Sequence, residues 1–87
     1  LLPYLPSKVI DILFLECTYI DEARPVERAR KWGHTHLFEI IENAEAFKDV
    51  EHLVLIHFSP RYSKDRILDT LRKQMPEDLY KKTTAFV

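Results

Sequence analysis

Glycine is almost missing from this 87-residue chain: Gly33 is the only one, where average usage would give about six. That excludes a Gly-rich loop of the kind that cradles phosphates, which needs several glycines in one turn. Cysteine is as scarce. Cys17 stands alone, which excludes an internal disulfide and a cysteine-based zinc cluster and fits a reducing, intracellular setting. Neither sign of charge dominates: the net charge is −1, so any basic patch for nucleic acid must be local. No apolar run approaches the roughly 20 residues of a membrane span, so no membrane partner is expected. The opening Leu1-Leu2-Pro3-Tyr4-Leu5-Pro6 has two prolines and no cationic leader, and no targeting segment of the usual kind is expected there.

What is present is material for one small domain or part of a larger one. The apolar fraction of 46% is ordinary for a globular protein, although an isolated core of this size is marginal. Ile10 to Cys17 reads as a strand, nearly continuously apolar as expected when both faces are covered, and Leu53 to Phe58 reads the same way. Pro25 suits a first helical position and Gly33 the residue past a helix end, which predicts a short helix over about 25–32. A second helix starts near Thr35 or His36, with Leu37, Ile40, Ile41, Ala44 and Phe47 forming one buried stripe. Ser63 can cap a third, with Ile67, Leu68 and Leu71 inward and Pro76 ending it. Pro76 opens a short helical turn through Tyr80, and residues 83–87 form a last strand. Strand, helix, strand implies an α/β fold with parallel strands and a right-handed crossover.

In open α/β sheets, sites form beyond the carboxyl ends of the strands. Glu16 and Cys17 end the first strand, His57 to Ser59 end the second, and His34 and His36 stand at the mouth of the helix between them, so all can converge on one edge. Each has a plain structural reading beside the chemical one. A lone His57 in an apolar strand is either a hydrogen-bonded core histidine or a metal ligand. His34 and His36 are either loop polar groups around a Thr35 N-cap or a chelating pair on an extended segment. Glu16 on an apolar strand is the stronger anomaly, because a buried carboxylate needs a partner. Paired with a histidine, a carboxylate orients the ring and favours its protonated form, which makes a proton donor near neutral pH. Cys17 is either core filling or a nucleophile with a histidine base. Arg24, Arg28, Arg30 and Lys31 are either a solvated helix face or a phosphate-contacting patch. Arg61 and Tyr62 are either structural or a phosphate clamp with a stacking partner, and Trp32 reads as packing.

Taken in order, Glu16-Cys17-Thr18, His34-Thr35-His36 and His57-Phe58-Ser59-Pro60-Arg61-Tyr62 resemble the C-terminal part of tRNase Z, the tRNA 3′-processing endoribonucleases of the metallo-β-lactamase superfamily. The first resembles the second half of that family's His-Glu-Ala-Thr motif, the second its His-Ser-Thr motif, and the third its closing His-x-Ser-x-Arg-Tyr segment. The resemblance covers about residues 10–62. Leu15 stands in place of the first histidine of the older motif, Cys17 in place of Ala, and His36 where Thr is common. The family's upstream His-x-His-x-Asp-His metal-binding signature is not in this chain.

The resemblance implies the C-terminal portion of a metallo-β-lactamase (αββα) fold, with residues 1–87 as part of a single domain whose N-terminal metal-binding part lies elsewhere. It implies a zinc-dependent endoribonuclease that removes 3′ trailers from precursor tRNA, with two zinc ions in the complete site. By carry-over, Glu16 and His34 are the catalytic proton-donor pair, His57 is one metal ligand, and Arg61 contacts the acceptor-stem backbone. Ser59, Tyr62, Thr35 and His36 complete the substrate-binding set. The 87 residues alone are expected to be inactive, and a homodimer is implied for the full-length protein. The rival readings are another phosphodiesterase of the same fold and a non-catalytic scaffold or RNA-binding fragment.

Overall fold

The computed structural model describes Leu2, residues 9–31 and residues 33–87; Trp32 and most of the Leu1–Pro6 opening lie outside them. The element order is β1 (Ile10–Glu16), α1 (Val26–Lys31), α2 (Leu37–Glu42), a 3₁₀ turn (Ala44–Phe47), β2 (Val50–Ile56), α3 (Lys64–Gln74), α4 (Glu77–Tyr80) and β3 (Thr83–Ala85). The three strands form one parallel sheet in the order β1-β2-β3. Parallel strands cannot be joined by a tight turn, so the helices serve as the crossovers. This is the α/β architecture with parallel strands that the sequence implies, and it is compatible with part of an αββα fold. Among the described residues no helix is long and apolar enough to cross a membrane.

The register places Leu13 opposite Leu53 and Leu15 opposite Leu55. Alternation along the pleat sends these leucines to one face. There Leu15, Leu53 and Leu55 join Leu37, Ile40 and Phe47 from the first crossover and Ile67, Leu71 and Leu79 from the second in a single core. The opposite face differs from the expectation of two covered faces. Phe14 and Ile12 on it are 64% and 53% exposed, and Phe14 pairs with Val54. These residues are apolar as a buried strand requires, yet nothing among the described residues covers them.

Three further details depart from the sequence reading. Leu68 is exposed: the inward stripe of α3 runs Ile67, Leu71, Met75, and Leu68 lies one residue off it. The stripe from Leu37 to Phe47 is not one helix but a helix and a 3₁₀ turn, broken at Asn43. The Asn43 side-chain amide donates to Glu39 O at 2.8 Å, a local bond that competes with continued helix. Finally, β2 begins at Val50 and stops at Ile56, because His57 leaves extended geometry with φ 57°.

Candidate active site

The site is built where three chain segments are stapled together beyond the sheet. Cys17 N donates to Ile56 O at 2.9 Å, Thr18 N to Thr35 O at 2.9 Å, Leu37 N to Tyr19 O at 2.8 Å and Ser59 N to Thr18 O at 2.9 Å. Residues 17–19 therefore lie between the mouth of α2 and the loop after β2. Backbone bonds of this kind fix the three segments to one another, which brings Glu16 at the end of β1 beside His34 and His57.

Glu16 and His34 meet at 2.8 Å, Oε1 to Nδ1. A carboxylate only accepts, so Nδ1 carries the ring proton and donates. Thr18 Oγ1 donates to the same oxygen at 2.9 Å. The other carboxylate oxygen, Oε2, stands 3.8 Å from His57 Nδ1. Burial by itself raises the Glu16 carboxyl; the hydrogen bonds from His34 and Thr18, with the charge of His34 and His57, reverse this and hold it below its ordinary value of 4.5. Glu16 is thus an ionised acceptor. The side chains of Glu16 and His34 are 37% and 39% exposed, so water reaches the pair and screens it.

His57 is 74% exposed and sits in the left-handed backbone region. That conformation costs an L-residue roughly 1–2 kcal/mol and clusters at functional sites. No sequence signal marks it. Its effect is to turn the chain sharply at the end of β2, setting the ring at the rim beside Glu16 rather than in the sheet.

Glu16, His34 and His57 border a cavity of about 370 Å³ whose other walls include Arg24, Arg28, Ser59 and Arg61. Ser59 Oγ accepts from Arg61 N at 3.4 Å and shapes that loop. Five of the eight predicted site residues are therefore brought together: Glu16, His34, His57, Ser59 and Arg61. Thr18, Tyr19, Arg24 and Arg28 also line the cavity. The arginines had a signal in the sequence, the cationic run before Gly33, but the run could not say which of its members face the site. Arg30 does not line it: its Nε is 3.9 Å from the buried Glu39.

Thr35, His36 and Tyr62 are not in this cavity. Thr35 and His36 are 3% and 0% exposed. His36, not Thr35, is the N-cap of α2: its Nδ1 accepts from Phe38 N at 3.0 Å, and Glu39 Oε1 accepts from His36 N at 3.2 Å. This reciprocal pattern satisfies two backbone donors at a helix start. With Nδ1 accepting, the ring proton is on Nε2, which donates to Asp21 O at 2.9 Å. Tyr62 is buried and bonded to Asp21 and Ile20 N. Cys17 is fully buried, and burial, with the nearby Glu16 charge, pushes its thiol well up, which removes the thiolate a nucleophile needs.

A catalytic zinc takes about three protein ligands. Among the described residues no three His, Cys, Asp or Glu side chains gather to hold a metal, and His34 and Glu16 are bonded to each other. The described residues do not by themselves fit a zinc site; His57, exposed at the rim, has the chemistry of a single ligand.

No family model matches the chain. It is 40% identical over 65 residues to tRNase Z TRZ1 of Arabidopsis thaliana, a match that takes in 75% of this chain and 23% of that relative. It is 39% identical over 62 residues to the chloroplastic tRNase Z TRZ2 of the same plant, covering 71% of this chain and 17% of the relative. The chain is therefore similar to tRNase Z over most of its own length, and it spans less than a quarter of the length of these curated relatives.

Proposed function

We propose that this chain carries the proton-donor side of a tRNase Z-type active site, in a protein that removes 3′ trailers from precursor tRNA. The observation that carries the reading is the Glu16–His34 contact of 2.8 Å beyond the sheet, in a chain similar to tRNase Z. Glu16 fixes the tautomer and orientation of the ring through Nδ1, which makes Nε2 the atom that hands a proton to the departing 3′ oxygen. Arg61 holds backbone phosphate at the same cavity, and Ser59 shapes its loop. His57 would supply one ligand to the zinc pair of the complete site, whose other ligands would come from outside these 87 residues. Zinc bound there would polarise a phosphoryl oxygen and acidify water.

The bare sheet face supports the companion proposal that residues 1–87 are the C-terminal part of a single metallo-β-lactamase-like domain. Ile12 and Phe14 have the composition of a covered strand without the cover. The proposed action on precursor tRNA implies a protein that works inside the cell.

The test is cleavage of precursor tRNA with a 3′ trailer by the complete protein. His34→Ala and Glu16→Gln should lower kcat by roughly 10²–10⁴, the usual worth of a general acid, and leave metal content unchanged. The 87 residues alone should not cleave. A His34→Ala protein that cleaves as well as the parent would sink the assignment. Cleavage of small phosphodiesters but not of precursor tRNA would favour another phosphodiesterase of the same fold, and RNA binding without any cleavage would favour a scaffold.

A further inference from the structure

The cationic run before Gly33 divides into two sides once folded. Arg30 turns to the buried Glu39, whereas Arg24 and Arg28 line the cavity that holds Glu16, His34 and Arg61. Three guanidinium groups from two separate segments thus share one cavity with a single carboxylate, in a chain whose net charge is −1. Like charges gathered on one wall repel, a cost that a bound anion removes. Guanidinium groups match phosphate oxygens in geometry as well as charge.

The two α1-side arginines are not equivalent. Arg24 is already engaged: its guanidinium stacks 5.3 Å from the centre of the Tyr62 ring and stands 3.7 Å from Asp21 Oδ2. Arg28 is exposed and makes no ion pair among the described residues. Its sequence neighbour Glu27 is on a different side of the helix, since adjacent helical residues do not face each other.

We infer that Arg28 is a substrate-contacting residue that holds an RNA backbone phosphate on the α1 wall of the cavity, while Arg61 holds another from the loop after β2. This rests on the proposed nuclease reading and deepens it: the RNA backbone is gripped from both segments that flank the Glu16–His34 pair. A phosphate contact carries no base preference, so Arg28 contributes affinity and register rather than sequence choice.

The experiment uses the complete protein with Arg28→Gln, Arg28→Lys and, as a control for charge lost elsewhere, Arg72→Gln on α3, whose side chain pairs with Asp69 at 2.7 Å. Two readouts are taken across a salt series: cleavage of a precursor tRNA, and equilibrium binding of the same RNA to the Glu16→Gln protein with and without the Arg28 change. Arg28→Gln should raise KM and Kd about tenfold, with a smaller change in kcat, and should reduce the slope of log affinity against log salt by about one. Arg28→Lys should recover part of the affinity, and Arg72→Gln should behave as the parent. The inference is overturned if Arg28→Gln matches Arg72→Gln in both Kd and salt slope. A parent protein that binds the RNA through Arg28 but never cleaves it would instead overturn the nuclease reading and leave the phosphate contact standing. A parent that does not bind the RNA would overturn both.

Discussion

The Tyr62 hydroxyl donates to Asp21 Oδ1 at 3.0 Å, joining two residues 41 apart in sequence. The same hydroxyl accepts from Ile20 N at 3.3 Å. Asp21 Oδ2 in turn takes Arg66 Nη2 at 2.8 Å, and the guanidinium groups of Arg24 and Arg66 stand 5.3 and 5.5 Å from the centre of the Tyr62 ring. This cluster ties the loop after β1 to the loop after β2 and to α3. The closing tyrosine of the motif therefore holds the cavity walls in place from behind.

Tyr62→Phe removes the hydroxyl and leaves the buried Ile20 N–H without its partner. An orphaned buried donor costs about 1–3 kcal/mol. Urea denaturation of the variant should show a loss of that size, and a change under about 0.5 kcal/mol would contradict the role given to this hydroxyl.

His36 offers a second separation of structure from substrate contact. His36→Ala removes the N-cap of α2 and should cost about 0.5–2 kcal/mol. His36→Asn keeps a capping acceptor and should recover much of that loss. RNA affinity of the folded His36→Asn protein should match the parent; a large loss of affinity in a fully folded variant would mean the ring reaches substrate.

Glu16 makes a prediction about pH. Its carboxyl is held below 4.5 in the folded chain, so the unfolded chain takes up the proton first as pH falls. The contribution of this group to stability is therefore complete above its ordinary value and is lost as pH drops through the lower folded value. Carbon NMR of the Glu16 carboxyl should give a midpoint below 4.5, and His34→Ala should move it upward. A midpoint above 4.5 in the parent would contradict the geometry.

The exposed sheet face predicts opposite outcomes in two settings. In the isolated 87-residue chain Phe14→Lys should change stability by no more than about 0.5 kcal/mol, as at other exposed positions, and should reduce self-association through the apolar face. In the complete protein the same change should be strongly destabilising if a second layer covers Phe14. Equal tolerance in both, read by thermal denaturation, would sink the proposal that these residues are part of a larger domain.

Much of this was decided by sequence alone. The apolar runs at Ile10 to Glu16 and around Leu53 to Ile56, separated by a helical stripe, leave little choice but parallel strands with a crossover. Strand polarity then sends Glu16, His34 and His57 to the same edge. Local patterning can do this because the pleat and the helix repeat are short-range properties of the chain. Where a residue sits relative to a neighbour dozens of positions away is not short-range. Only the folded chain sends Arg28 to the cavity and Arg30 to Glu39, turns His36 inward as a cap while His34 meets Glu16, and stops β2 at the left-handed His57. His34 and His36 carry the same imidazole two residues apart. What separates them is the set of partners that packing delivers to each ring: a carboxylate at the rim for one, and two backbone groups for the buried other.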